Sequence, residues 1–195
     1  MRRNLDDNPT AEVRFHDSAA DKLTRNALRF LRLAIRDYYT KPDQMAVKVY
    51  TSIELILKAK LAFEHWSLII KGSPDAEKFK AGDFVTIGFH EAVKLIEGVQ
   101  GYKIDSNYFT RFDDLRKVRN KIMHFSAPEW IPSDSDDWDY SNKKIRYVSL
   151  NAWAALHHLM LEDWQNDFRP YFYDLKQIDG LIDRTFRSHP ELVRK

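Results

Sequence analysis

From residue 19 to residue 39 apolar side chains return every three or four positions, at Leu23, Ala27, Phe30, Leu31, Ala34, Ile35 and Tyr38. That is the period of one face of an α-helix. Lys41-Pro42 ends the run, since a proline cannot supply the amide a continuing helix needs. The period resumes at Met45, Ala46, Val49, Tyr50, Ile53, Leu57, Leu61 and Trp66 and reaches about residue 70, with Asp43 placed to cap the new helix. Two long helices with so short a connection predict an antiparallel hairpin. Lys71-Gly72-Ser73-Pro74 breaks the pattern, and after a polar stretch to Gly82 the positions Phe84, Ile87, Ala92, Leu95 and Ile96 predict a shorter third helix ending at Gly98. Asp105 or Ser106 opens a fourth, whose stripe is Phe109, Phe112, Leu115, Val118, Ile122 and Phe125, stopped by Ala127-Pro128.

The period then lapses. Residues 127–147 read as an acidic loop insertion, with Glu129, Asp134, Asp136, Asp137 and Asp139 and no cation before Lys143. At its end residues 143–148, Lys-Lys-Ile-Arg-Tyr-Val, read as a short strand. Ser149 or Asn151 starts a fifth helix through Trp153, Leu156, Leu159, Met160, Trp164 and Phe168, kinked or ended by Pro170, and a tail helix covers 171–188. The expectation is an all-α, up-and-down bundle of about five helices, one domain over residues 1–195 with its core in 19–175.

Composition narrows the function classes. With 31 Lys plus Arg against 29 Asp plus Glu, the net charge of +2 supplies no bulk attraction for nucleic acid, so any such role needs local clustering. No cysteine is present, which removes thiolate nucleophiles, disulfides, zinc ribbons and iron–sulfur ligation. A polar start and the lack of any long apolar run predict a soluble, cytoplasmic protein with no membrane partner. Phosphate-loop, HExxH, EF-hand and GxSxG patterns do not occur. His157 and His158 are neighbours, about 100° apart on a helix, so they do not face one ion, and neither a metal nor a cofactor is expected. Trp66, Trp153 and Trp164 fall at helical spacing among aliphatics and read as core or interface.

The candidate chemistry lies in residues 114–125, Asp-Leu-Arg-Lys-Val-Arg-Asn-Lys-Ile-Met-His-Phe. On a helical wheel Arg119 and His124 stand about 140° apart and bracket a polar stripe with Arg116 and Asn120, read as solvent-facing. Imidazole, amide and guanidinium groups together suit phosphate chemistry, while the plainer reading is a solvated basic face with a helix-terminal histidine favoured by the macrodipole. Arg111, Lys117 and Lys121 add local positive charge. A second Arg-x4-His spacing, Arg184 to His189, lacks the Asn after the Arg and reads as coincidence.

Arg119-Asn120-Lys121-Ile122-Met123-His124-Phe125, late in a helix that follows a helical hairpin, resembles the Arg-x4-6-His signature of the HEPN superfamily (higher eukaryote and prokaryote nucleotide-binding). Glu54-Leu55 and Lys58-Ala59 likewise resemble the Glu-Leu-x-x-Lys-Ala pattern of its second helix. The resemblance implies a metal-independent endoribonuclease acting on RNA, with Arg119, Asn120 and His124 catalytic and Arg111, Arg116, Lys117 and Lys121 on the phosphates. Glu54 either holds an arginine of the site or forms a surface ion pair with Lys58. The resemblance also implies a homodimer with both motifs in one cleft, a nucleotidyltransferase-type antitoxin as partner, and a role as toxin or phage-defence effector. The alternative is a non-catalytic module that binds nucleotides, RNA or a protein.

Overall fold

The computed structural model describes residues 19–124 and 137–188. Helix α1 (Ala19–Asp37) turns Ala27, Leu28, Leu31 and Ala34 inward, and α2 (Pro42–Glu64) answers with Met45, Ala46, Val49, Ile53, Ile56, Leu57 and Leu61. Alanines at Ala27 and Ala46 let the helices approach closely. The hairpin is antiparallel: Lys48 pairs with Asp37 at the connection, and further down Ser52 Oγ donates to the Ala27 carbonyl at 3.0 Å. Each buried leucine or isoleucine in the seam contributes about 1.5–3 kcal/mol.

Both ends of α2 differ from expectation. Pro42 occupies the first turn after Lys41, and Asp43 sits inside that turn instead of capping it. Proline suits this place, because its fixed φ is helical and its missing N–H would have had no partner there. At the far end the helix stops at Glu64, not near residue 70. His65 is extended, with φ −162°, and its Nδ1 accepts the Ser67 N–H at 3.2 Å, opening a 3₁₀ turn over Trp66–Ile69. Ile70 then pairs with Thr86 in one antiparallel bridge, the only such pairing among the described residues.

The polar stretch after Pro74 is itself helical. Asp75 accepts from the N–H groups of Glu77 and Lys78 at 2.9 and 3.0 Å and so caps α3 (Ala76–Ala81), which Gly82 closes at φ +77°. Those backbone hydrogen bonds hold the Asp75 pKa below the ordinary carboxylate value. The next helix, α4 (Phe89–Gln100), begins later and runs further than expected. Phe84 and Ile87 belong to the segment leading into it, and it passes Gly98 to end on Gly101 at φ +65°. A left-handed residue at a helix end favours glycine, which has no Cβ to clash.

Helix α5 (Ser106–His124) starts where the sequence placed it, with Asp105 Oδ1 accepting the Asn107 N–H at 2.8 Å. Phe112, Leu115 and Val118 are buried, Phe109 and Ile122 half-buried, and Phe125 lies outside the described residues.

The largest correction concerns residues 137–158. The expected acidic loop over 127–147 and the expected strand over 143–148 give way, from residue 137 onward, to one helix, α6 (Asp137–His158); residues 127–136 lie outside the described residues. Ile145, Ser149, Ala152 and Leu156 are all buried at spacings of four, three and four, which only a helix can direct to one side. The buried Ser149 hydroxyl is satisfied by the Ile145 carbonyl at 2.8 Å. Arg146 ties this helix to α1: Nε donates to the Tyr38 carbonyl at 2.8 Å and an Nη to that of Tyr39 at 3.0 Å.

The regular helix breaks well before Pro170. Residues Leu159–Asp163 form a π turn, closed by Trp164 N–H on the Leu159 carbonyl at 2.7 Å. One helical turn, α7 (Gln165–Phe168), and a 3₁₀ turn through Pro170 lead into α8 (Phe172–Ser188), the expected tail helix. It runs parallel to α1, for Tyr171 reaches Asp21 near the start of α1 and Thr185 accepts from Tyr39 just beyond its end. The regular structure among the described residues is therefore all helical apart from that one bridge, with six helices of twelve or more residues around one hydrophobic core.

Candidate functional site

Helix α5 lies against α2, and at their seam Arg119 does not face solvent as the wheel suggested. Phe112, Leu115, Arg119 and Ile122 follow one another at spacings of three and four, so Arg119 continues the inward stripe. Its guanidinium carbon sits 5.1 Å from the centroid of the Tyr50 ring on α2, a cation–π contact, and one Nη donates to Asn120 Oδ1 at 2.9 Å. Its Nε is buried with no hydrogen-bond partner among the described residues. A cation set over an aromatic ring and tethered by an amide has less rotamer freedom left to lose on meeting an anion.

Tyr50, read from the sequence only as one of the apolar positions of α2, organises this cluster. Its ring is buried, and its hydroxyl donates to Glu54 Oε1 at 3.3 Å, one turn further along α2. Burial raises the phenol pKa, the Glu54 carboxylate raises it further, and the charges of Arg119 and Arg116 only partly oppose them. The phenol therefore stays neutral, and Glu54 stands behind Tyr50 instead of holding an arginine directly. The spacing Tyr50, Glu54 was the available signal, since residues four apart share a helix face.

Lys58, the other supporting residue, goes elsewhere. Its Nζ donates to Thr86 Oγ1 at 3.0 Å, toward the segment before α4, and it makes no ion pair with Glu54. Burial lowers its pKa, against the pull of Glu54.

The flanking cations are less available than their number suggests. Asp113, absent from the sequence argument, accepts from Arg116 at 2.7 Å and from Lys117 at 2.9 Å, and His90 Nε2 stands 3.7 Å away. Burial works to raise the Asp113 pKa, but the hydrogen bonds and charges of Lys117 and Arg116 outweigh it and leave it below its ordinary value. Asp114 takes a longer contact from Lys117 at 3.4 Å. Lys121 and Arg111 are exposed, and Arg111 stands about 140° from Arg116 around the helix, so the four cations ring α5 and do not form a single patch.

His124 is exposed at the last described position of α5, with Asn120 one turn before it on nearly the same side. The chain thus brings Arg119, Asn120, Tyr50 and Glu54 into one cluster and presents His124 beside it at the helix end. Of the histidine pair on α6, His157 is bonded through Nε2 to Asp179 at 3.0 Å, while His158 lies against the ring of Tyr108. No group of three or more His, Asp or Glu side chains able to hold a metal occurs among the described residues. No helix among them is long and apolar enough to cross a membrane. Trp153 and Trp164 are buried as expected, whereas Trp66 is only half-buried. His189, from the second Arg-x4-His spacing, lies outside the described residues.

No protein-family model, curated protein or solved structure matches this chain.

Proposed function

We propose that this chain is a HEPN-like, metal-independent endoribonuclease in which His124 moves protons and Arg119 neutralises charge on the scissile phosphate. The observation that carries the reading is the Arg119 guanidinium, fixed by Tyr50 and Asn120 five residues before an exposed imidazole. RNA supplies its own nucleophile. The 2′-hydroxyl attacks phosphorus as its proton passes to an imidazole, the bond to the 5′-oxygen breaks, and that oxygen takes a proton from an acid. The products are a 2′,3′-cyclic phosphate and a free 5′-hydroxyl. Imidazole suits both transfers because it titrates near neutrality, and arginine suits the dianionic transition state because it donates in a fixed fork.

One motif offers one imidazole, and the reaction uses a base and an acid. A two-fold homodimer that joins both motifs in one cleft supplies the second. The same reading brings RNA as substrate, a nucleotidyltransferase-type antitoxin as regulator and a cytoplasmic toxin or defence role.

A second reading, a non-catalytic HEPN-like module, is favoured by a specific feature. The inward position of Arg119 and its buried Nε are also what an arginine kept for packing between α2 and α5 would show. Incubation with labelled RNA in EDTA separates the two. Cleavage that leaves cyclic phosphate ends and disappears in His124→Ala supports the ribonuclease. A folded dimer that leaves RNA intact, with binding unchanged in His124→Ala, supports the module.

A further inference from the structure

On another part of the surface, four rings form a ladder. His65, Trp66, Phe79 and Phe84 follow one another with centroids 5.5, 4.7 and 5.0 Å apart and interplanar angles of 36°, 32° and 33°. The α3 cap makes this possible, because Asp75 and Gly82 fold the chain so that Phe79 lies between Trp66 and Phe84. The ladder runs into an open groove of about 780 Å³ between α1 and α3, a volume in the range of about 300–1,000 Å³ usual for small-ligand sites. Phe79 and Phe84 contribute its aromatic wall, Lys22 and Lys80 its cations, and Asn26 and Thr86 its neutral hydrogen-bonding groups.

An aromatic wall, two cations and an amide describe a ligand that is flat, anionic and rich in hydrogen-bonding edges. We propose that the groove binds a nucleotide unit, its base stacked on the end of the ladder at Phe84 and its phosphate between Lys22 and Lys80. A base laid on Phe84 adds a further ring to a run in which each ring is tilted by 32–36° from the next. The Asn26 amide and the Thr86 hydroxyl, the latter held by Lys58 at 3.0 Å, face the hydrogen-bonding edges of the base or sugar. Lys80 is paired with Glu77 at 2.9 Å, but that pair is exposed and costs little to exchange for a phosphate. The groove uses neither Arg119 nor His124, so the inference stands apart from the ribonuclease reading. The unit has two possible sources, a free nucleotide or one residue of a single-stranded RNA, and both present the same base and phosphate.

The test is calorimetric titration of the full chain with AMP, with ribose 5-phosphate, and with a 2′-O-methyl oligoadenylate pentamer that resists cleavage. AMP or the pentamer binds, and ribose 5-phosphate binds at least about tenfold more weakly than AMP, since the base supplies the stacking. Equal affinities for AMP and pentamer assign the groove to free nucleotides; a pentamer at least tenfold tighter, and weakened by the groove variants below, assigns it to RNA. Phe84→Leu weakens binding about tenfold. The surface double variant Lys22→Gln/Lys80→Gln, which leaves the ladder intact, weakens it and flattens its salt dependence. The proposal is overturned if neither AMP nor pentamer binds, if ribose 5-phosphate matches AMP, or if the lysine variant binds like the parent. Loss of RNA cleavage with groove binding intact, or the reverse, assigns the failure to one proposal and not the other.

Discussion

Arg146 offers a sharp test of the reassigned helix α6. Helix α1 ends at Asp37, and the carbonyls of Tyr38 and Tyr39 just beyond it have no intrahelical donor; the Arg146 fork supplies one to each, at 2.8 and 3.0 Å. The guanidinium carbon also stands 5.8 Å from the Tyr38 ring centroid. A hydrogen bond from a charged donor contributes about 1.5–3 kcal/mol and a partly exposed cation–π contact about 0.5–1 kcal/mol. Arg146 is half-buried and water replaces part of what is lost, so the expected cost of Arg146→Met is about 3 kcal/mol, with the aliphatic stem still packed. For a chain of this size each kcal/mol moves Tm by about 2–4 °C, which puts the fall at about 6–12 °C. Arg146→Lys keeps the charge but not the fork and falls about half as far. Calorimetry with parallel urea titrations gives the result. A loss under about 2 °C for the Met variant, with an unchanged urea slope, would refute the claim that this arginine fastens α6 to the end of α1.

Other outcomes follow from the same contacts. Arg119→Lys, which keeps the charge but loses the guanidinium over Tyr50 and its donor to Asn120, lowers RNA cleavage at least about tenfold while Tm changes by less than about 5 °C; equal losses in stability and activity would point to packing alone. The carboxylate of Asp113 has a depressed pKa in the folded chain, so its stabilising contribution is complete above its ordinary pKa near 3.8 and is lost as pH falls through the lower folded value; Asp113→Asn lowers stability at pH 6 and narrows the difference from the parent at pH 2.5 in urea titrations. Truncating the fully buried Phe112 to Ala removes its contacts with Phe89 at the seam of α4 and α5 and costs about 3–5 kcal/mol by equilibrium unfolding.

Where side chains repeat every three or four residues over many turns, the amino-acid order alone was sufficient. The hairpin of α1 and α2, the start and stripe of α5 and the tail helix all follow from it, because burying one continuous face needs nothing but that period. Short segments escaped it. Lys144 to Tyr147 alternates charged and apolar side chains well enough to resemble a strand, and only the Tyr38 and Tyr39 carbonyls that receive Arg146, with the core that receives Ile145 and Ser149, commit the segment to a helix. The helix α3 was written in Asp75 and Gly82, yet a six-residue helix buries no residue of its own and so leaves no apolar period to read. Motif spacing placed Arg119, Asn120 and His124 on one helix but not the direction each takes. That direction depends on what lies across the seam. Asp113 meets Arg116 and Lys117 at spacings of three and four on α5 itself, pairings the amino-acid order already set, whereas Tyr50 reaches Arg119 from another helix, a pairing through space that no single helix period contains.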